Sequence, residues 1–499
     1  MVAFALSPLV FLLIDAHSAG WHEVRTVLFR GRSAMLLKNT VELAAIVCAG
    51  TAVVGTATAW CVERMKLPGV KWWAPLIVLP IALPDFVVGY TWHSVFPWVD
   101  GLFGAALVMT LSTYPLVYLP VRAALRRADP ATEGVARSLG LGPFATFWRV
   151  TLRQVRGGLA GGCLLVTLTL IAEYGAFEIL RFQTFTTEVF TEFKFDPPAA
   201  AALALPLALM GLLVLGGEAA VTHHTHPAGA TVATDPTRVS PSLPWRAGAL
   251  AALAALMLLA VALPIGTLIG WMVRSQHTTL PASTTLVRAT ISTIGYGAAG
   301  ALLSTALAVP VAVMAVRRPH ALQRVLERGA YLVQALPGVV VALAAVFFTT
   351  RYAYRAYQTS GLLVVVYSLL FLPLALVCVK VSLAQASETY SEVSRTLGRG
   401  RLVTFALVTV PLIAPGLAAA FCLVFLSTVT ELTATLILIP IGHHTLVTQF
   451  WAYQSAAAYG AAAPYAMVMV VVGGIPAVLL NSWFARRGAS SGSSVPVVT

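Results

Sequence analysis

The chain has 499 residues, of which 58% are hydrophobic and 10% are charged, whereas about a quarter of the residues in a typical soluble domain are charged. This composition excludes an intrinsically disordered chain and an ordinary soluble fold. The 32 Lys and Arg residues outnumber the 19 Asp and Glu residues and give a net charge of +13. Because no basic face interleaved with aromatic residues occurs, nucleic acid is not an expected partner.

Apolar stretches long enough to cross about 30 Å of hydrocarbon as helices recur along the chain. With a shorter segment at residues 3–14, they predict about twelve helices and an all-α polytopic membrane protein. That first segment is long enough for little more than half of the hydrocarbon core, which leaves its completeness open. It lacks a basic n-region and a cleavage site, so we do not expect a cleaved signal peptide. The long stretches lie at about residues 39–62, 72–96, 101–121, 157–180, 199–220, 247–272, 289–316, 330–350, 361–384, 412–439 and 464–484.

The distribution of basic residues predicts the orientation of these helices. If the N-terminus is cytoplasmic, about two-thirds of the 32 basic residues fall on the cytoplasmic side, as the positive-inside rule requires. The largest group consists of the arginines from Arg122 to Arg156. A smaller basic group in the first outer loop opposes this bias.

The chain contains an internal repeat. Residues 114–140 align without a gap on residues 372–398, and the correspondence continues to Glu173 and Glu431. Such self-similarity indicates a fused tandem duplication. The matches upstream of this alignment are Ala82-Leu83-Pro84 with Ala335-Leu336-Pro337, Thr40 with Thr290, and Gly50 with Gly300.

The duplication predicts two transmembrane repeats of six helices each, at residues 1–220 and 247–486. A cytoplasmic linker is expected at 221–246 and a flexible tail at 487–499. Since six is an even number, both copies enter the membrane in the same orientation, and a pseudo-two-fold axis should run along the membrane normal. This arrangement disfavours an inverted-repeat secondary transporter.

Each repeat has a cytoplasmic loop with a shared pattern, at residues 122–156 and 380–411. Each loop suits a short amphipathic helix that ends at a glycine, followed by a second helix that runs to the membrane. Such a projection can fit a cleft on a soluble partner. The corresponding segments are Glu133-Gly134-Val135-Ala136-Arg137-Ser138-Leu139-Gly140 and Glu392-Val393-Ser394-Arg395-Thr396-Leu397-Gly398.

These two segments resemble the EAA loop in the membrane subunits of type I binding-protein-dependent ABC importers. The resemblance implies two tandem type I transmembrane domains whose loops act as coupling helices for an ATPase. The first copy has Gly-Val-Ala where the family has Glu-Ala-Ala, with Glu133 standing for the acidic residue, so the two copies are expected to dock with unequal strength. The implied coupling residues are Glu133, Ala136, Arg137, Leu139, Gly140, Glu392, Ser394, Arg395, Leu397 and Gly398.

The resemblance also implies the partners and the location. Two copies of an ABC ATPase subunit would dock at residues 133–151 and 391–409, and a periplasmic or extracellular substrate-binding protein would deliver substrate. The chain itself would lie among the lipids of the bacterial inner membrane as a multi-pass protein. It has no G-x-x-x-x-G-K-[ST] phosphate-binding motif, so ATP hydrolysis is expected from another chain and no cofactor is expected here.

Catalytic and metal-binding patterns are not expected to define the function. No nucleophile elbow, H-E-x-x-H motif or paired-carboxylate site is evident, which disfavours a polytopic membrane enzyme. A passive channel is disfavoured because it has no need of two docking loops. The five cysteines include no C-x-x-C pair and are typical of small buried hydrophobic residues. The histidines at 223, 224 and 226 are more typical of polar linker residues than of a metal site.

The fused layout is similar to that of the ferric-iron importer permeases, with thiamine and aminoalkylphosphonate permeases as alternatives. This finer resemblance is carried by Ala172-Glu173-Tyr174-Gly175-Ala176 and by Thr430-Glu431-Leu432-Thr433-Ala434-Thr435-Leu436. It identifies a subfamily rather than a ligand.

Glu173 and Glu431 are candidates for the translocation pathway. Each lies about 22 Å along a helix that starts at the cytoplasmic face, which is deep in the membrane, where ionised carboxylates usually face water or a partner. One hypothesis is an acidic ring that favours a cationic substrate or sets the outer gate. The alternative is a hydrogen bond between helices without substrate contact.

One further polar group lies near the outer side of the first repeat. Asp85, Tyr90 and His93 are expected to be interfacial residues of an aromatic belt with Trp92 and Trp98. An outer vestibule lined by the first three is the alternative.

Overall fold

The computed structural model describes residues 20–128, 130–223, 242–275, 281–317 and 335–490, and singly residues 10, 11, 14, 329, 332 and 333. These residues form helices and no β-strand. The segment 3–14, the linker 221–246, the stretch from 318 to 334 and the tail 487–499 lie wholly or largely outside the described residues.

The described helices follow the predicted order. The first twelve are α1 (Trp21–Leu28), α2 (Gly31–Arg64), α3 (Val70–Leu76), α4 (Asp85–Val95), α5 (Gly101–Arg127), α6 (Pro130–Ser138), α7 (Leu152–Ala172), α8 (Gly175–Ile179), α9 (Phe185–Phe195), α10 (Pro197–His223), α11 (Leu243–Met257) and α12 (Leu263–Arg274). The remainder are α13 (Ser283–Arg317), α14 (Gly338–Tyr352), α15 (Ser360–Leu370), α16 (Leu372–Gln385), α17 (Thr389–Thr396), α18 (Val410–Thr430), α19 (Thr433–Leu438), α20 (Leu446–Ser455) and α21 (Tyr459–Ser490).

Many of these helices are long and apolar enough to cross a membrane. Within the described ranges, seven meet this condition, and nine do so if two bent pairs each count as one span. The prediction of an all-α polytopic membrane protein is confirmed.

Two predicted spans are bent rather than straight. The span at 72–96 turns by 89° between Trp72–Ala82 and Asp85–Val95, and the span at 361–384 turns by 53° between Ser360–Leu370 and Leu372–Gln385. Proline explains both bends, because it removes a backbone donor and clashes with the preceding turn. Pro84 precedes α4, and Pro373 lies in the first turn of α16.

Two further predicted spans end early. The stretches at 157–180 and 412–439 are not continuous helices, because α7 ends at Ala172 and α18 ends at Thr430. In each repeat the next residue, Glu173 or Glu431, is extended and is followed by a short helix. The prediction that these glutamates lie within unbroken helices is therefore wrong.

Hydrogen bonds define the correspondence between the repeats more exactly than residue identities do. The Phe185 amide donates to Thr40 Oγ1 over 3.3 Å, and the Leu446 amide donates to Thr293 Oγ1 over 2.8 Å. Each amide begins a helix, α9 or α20, that has a threonine capping box. Thr40 therefore corresponds to Thr293 rather than to the predicted Thr290.

The chain forms two compact units. One comprises Gly20–Trp271, and the other comprises Met272–Thr499 with Met1–Ala19. In the first unit, α11 lies beside the end of α2, and an apolar groove of about 380 Å³ runs between Trp60 and Trp245. In the second unit, the Phe11 and Phe348 ring centroids are 4.8 Å apart. The compact units therefore divide the chain between Trp271 and Met272, whereas the predicted sequence repeats are divided by the linker at 221–246.

Small residues allow the helices of the first unit to pack closely. A Cβ at Gly55 of α2 would lie 2.9 Å from Val117 Cβ of α5, and one at Gly162 of α7 would lie 2.7 Å from Val117 Cα. Close approach at small residues is the usual basis of helix association in lipid. Replacing Gly55 or Gly162 with a larger residue would therefore push α5 away from its neighbours.

Candidate functional site: two loop helices

The loop helices α6 and α17 end in the same way. Gly140 has φ +84° and Gly398 has φ +82°, a left-handed conformation that favours glycine. The Leu141 amide donates to the Ala136 carbonyl over 3.1 Å, and the Arg399 amide donates to the Ser394 carbonyl over 3.2 Å. Both bonds belong to the glycine-ended helix terminus that the sequence predicts.

A further shared feature follows each loop helix. The chain forms one helical turn and then a π-helical turn, at Phe147–Thr151 in the first repeat and at Phe405–Thr409 in the second. Each π-turn continues directly into a membrane helix, α7 or α18. Such turns place one extra residue in the helix and are frequent at functional sites.

The outer face of each loop helix carries two exposed apolar side chains. The exposed fractions are 58% for Val135 in α6 and 78% for Leu139 directly after it, and 51% for Val393 in α17 and 76% for Leu397 directly after it. Each pair has the i, i+4 spacing that places two side chains on one helix face. The sequence analysis selected both leucines and missed both valines, although this spacing was a readable signal.

The inner face of each loop helix is buried. Glu133 and Ala136 face inward in the first repeat, and Ser391 and Ser394 do so in the second. Glu392, in contrast, is exposed. Glu133 and Glu392 therefore do not occupy equivalent positions, because the counterpart of Glu133 in the ungapped alignment is the buried Ser391.

A buried ion pair holds α6 to the end of α2. The Arg64 side chain is only 2% exposed, and its Nε lies 3.2 Å from Glu133 Oε1. The Thr151 hydroxyl of the π-turn donates to the same oxygen over 3.1 Å, and Arg137 Nη2 lies 3.8 Å from Glu133 Oε2. Glu133 thus joins a membrane helix, the loop helix and the π-turn.

The second repeat replaces this ion pair with weaker contacts. Arg317 at the end of α13 corresponds to Arg64, and its Nη2 lies 3.5 Å from Ser391 Oγ. Ser391 Oγ also lies 3.5 Å from Thr409 Oγ1. The only carboxylate that Arg317 reaches among the described residues is Glu388, at 3.5 Å, whose side chain is 59% exposed. The Arg395 side chain donates to the Ser391 carbonyl over 3.2 Å.

Glu173 and Glu431 have equivalent local geometry in the two repeats. Glu173 Oε1 accepts from the Ala176 amide over 2.7 Å, and Glu431 Oε1 accepts from the Ala434 amide over 3.0 Å. Both carboxylates thus cap the short helix that follows, where an anion is favoured by the free amides and the helix dipole. Both residues are half-buried. A pathway role for them stays a prediction.

The expected aromatic belt is only partly consistent with the structure. Tyr90 and Trp92 are buried inside the first unit, whereas Trp98 is 66% exposed. His93 Nδ1 lies 3.2 Å from the Val99 carbonyl. The interfacial interpretation is therefore wrong for Tyr90 and Trp92, because the bend before α4 turns this helix into the protein.

Other reactive groups do not form a catalytic or metal centre in the part of the chain that is described. No group of three or more His, Cys, Asp or Glu side chains there lies close enough to hold a metal ion. All five cysteines are free. Of the linker histidines, those at 224 and 226 lie outside the described residues.

The repeated loop geometry on apolar helices is what the resemblance to importer permeases implies. A family model described as "Binding-protein-dependent transport system inner membrane component" matches the chain twice, at residues 52–223 and 304–488. The chain belongs to this family, and the resemblance inferred from the loops is confirmed. It is a multi-pass membrane permease component of a binding-protein-dependent ABC importer.

Named relatives differ in the substrate that their names state. The chain is 35% identical, over 95% of both chains, to the Fe(3+)-transport system permease protein FbpB 2 of Haemophilus influenzae. It is 28% identical to the sulfate transport system permease protein CysW of Synechocystis over 36% of this chain and 73% of that one. It is 29% identical to the molybdenum transport system permease protein ModB of Mycobacterium tuberculosis over 44% of this chain and 90% of that one.

Proposed function

We propose that the chain is the permease of an ATP-driven ferric-iron importer in the bacterial inner membrane. The single observation that carries the ATP-driven part is the repeated exposed apolar pair, Val135 with Leu139 and Val393 with Leu397. Exposed apolar side chains on a cytoplasmic loop mark a protein contact. Since the chain has no phosphate-binding motif of its own, the contact is with a separate ATPase, one copy at each loop.

The loop helices transmit movement of the ATPase to the membrane helices. Docking at Leu139 moves α6, and Glu133 passes that movement to Arg64 of α2 and to Thr151 at the start of α7. The π-turn between the loop and α7 is the point at which the direction of the helix can change. ATP-driven closure would in this way alternate access between the two sides of the membrane.

Ferric iron is the proposed substrate because the iron permease relative matches the chain over nearly its whole length, including both repeats. The sulfate and molybdenum permeases match over about one repeat. Glu173 and Glu431 favour a cationic substrate over these anions. A substrate-binding protein outside the membrane would deliver the iron. Thiamine and an aminoalkylphosphonate remain the alternative substrates.

Charged substitutions on the exposed pairs test the docking. Leu139→Asp and Leu397→Asp each remove an apolar contact that stabilises a complex by about 1.5–3 kcal/mol when buried, which corresponds to about 10- to 100-fold in ATPase affinity. Lys66→Asp is the matched control, because Lys66 is exposed on the same side outside both loops. Co-purification of the ATPase with each variant, together with iron uptake, measures the effect. Normal ATPase association of both leucine variants would refute the docking.

A further inference from the structure

Glu173 has a neighbouring carboxylate that has no counterpart beside Glu431. Asp85 is the first residue of α4 and follows Pro84, whereas Gly338 is the first residue of α14 and follows Pro337. Both prolines are extended, with φ −60° and −57°. Asp85 and Gly338 therefore occupy the same position in the two repeats.

The second repeat shows what this position contacts. A Cβ at Gly338 would lie 2.7 Å from Glu431 Oε1, so the start of α14 lies directly against the glutamate. A side chain at this position is thus aimed at the carboxylate of the same repeat.

The first repeat has the same helix packing. A Cβ at Gly89 of α4 would lie 3.5 Å from Ala176 Cα of α8, and the Ala176 amide holds Glu173. Asp85 lies one turn before Gly89 on the same face of α4. This arrangement places Asp85 on the face of α4 that packs against α8, whose first turn holds the Glu173 carboxylate.

A buried hydroxyl from a third helix also faces this position. Ser112 of α5 is 3% exposed, and its Oγ lies close to the Asp85 carboxyl without forming a well-aligned hydrogen bond to any described residue. Among the described residues, Asp85 forms no ion pair with a basic side chain. Carboxylates at membrane depth are costly unless a counter-charge compensates them.

We propose that Asp85 and Glu173, with the Ser112 hydroxyl, form a binding site for a hard multivalent cation in the first repeat. Carboxylate and hydroxyl oxygens are the ligands that such cations prefer. The inference rests on the proposed function, in which the cation is ferric iron in transit. The second repeat offers one carboxylate at the equivalent position, so the two repeats contribute unequally to substrate binding.

Binding of Tb³⁺, an oxygen-seeking trivalent probe, to the purified full-length chain in lipid nanodiscs tests the site. The wild-type chain should bind saturably, and Asp85→Asn and Glu173→Gln should each weaken binding at least tenfold. Asp100→Asn is the matched control and should leave this binding unchanged, because Asp100 is an exposed carboxylate outside the site. Asp85→Glu, which keeps the carboxylate, should retain binding and separates loss of the ligand from misfolding.

Three results would overturn the site: no saturable Tb³⁺ binding by the wild type, unchanged binding by the Asp85→Asn variant, or loss through Asp100→Asn equal to that through Glu173→Gln. Parallel ⁵⁵Fe³⁺ uptake separates this inference from the proposed function. If the wild type binds Tb³⁺ through Asp85 but imports no iron, the site stands and the iron function fails. If the wild type imports iron while Asp85→Asn changes neither uptake nor Tb³⁺ binding, the function stands and the site fails.

Discussion

The buried pair between Arg64 and Glu133 makes a quantitative prediction about the first loop helix. Arg64→Met leaves the Glu133 carboxylate buried, with the Thr151 hydroxyl at 3.1 Å and the half-exposed Arg137 at 3.8 Å as remaining partners. Removing one member of a buried ion pair costs about 3–5 kcal/mol. Since about 1.4 kcal/mol corresponds to a tenfold change in an equilibrium constant, the population with α6 detached from α2 should rise about a hundred- to a few thousandfold.

Arg317→Met in the second repeat is the matched control. Its ion-pair partner Glu388 is 59% exposed, and exposed pairs contribute about 0–1 kcal/mol. The expected effect on α17 is therefore about fivefold or less. The two arginines occupy corresponding positions, so the comparison isolates burial of the carboxylate.

Hydrogen–deuterium exchange of the amides in α6 and α17 measures both effects in the full-length chain. Arg64→Met should accelerate exchange in α6 and leave α17 unchanged, and the double variant Arg64→Met, Glu133→Gln should recover part of the protection because no unpaired charge remains. Wild-type exchange in α6 of the Arg64→Met variant, or an equal acceleration of α17 by Arg317→Met, would refute the unequal strength of the two attachments.

Two further predictions concern the loop end and the membrane glutamates. Gly398→Ala places a Cβ on a residue with φ +82°, which costs about 1–2 kcal/mol; exchange of the last amides of α17 should rise, and unchanged exchange would mean that this end is not strained. Glu173→Gln and Glu431→Gln keep the side-chain oxygen that caps α8 or α19 but remove the charge, so each variant should fold normally and lose cation uptake. Wild-type uptake by both would exclude the pathway role.

The spans could be predicted from the sequence because the hydrocarbon core demands long apolar helices with internally satisfied backbones. The breaks within these spans could not be predicted from the sequence. The residues that flank Glu173 and Glu431 are apolar, small or hydroxyl-bearing and include no proline, so no proline marks the end of a helix there. The end is set by a carboxylate that binds an amide three residues later, a tertiary feature that the repeat itself does not identify.

The loops show a similar limit. The glycine-ended helices were predictable because only glycine readily adopts the left-handed conformation at positions 140 and 398. The inward direction of the Glu133 side chain could not be predicted, because its buried partner Arg64 lies far away in sequence. The predicted alignment of Thr40 with Thr290 was wrong by three residues, because identities within stretches rich in Gly and Ala are weak evidence for an alignment. The hydrogen bond to Thr293 resolves it.

ATP-dependent uptake of ⁵⁵Fe³⁺ tests the central claim most directly. Proteoliposomes would contain the full-length chain, the ATPase that co-purifies with it and the substrate-binding protein encoded with it. The account predicts iron uptake that requires ATP and all three components and falls at least tenfold with Leu139→Asp in the chain. ATP-driven import of sulfate, molybdate or thiamine without iron, or iron uptake independent of the ATPase, would contradict it.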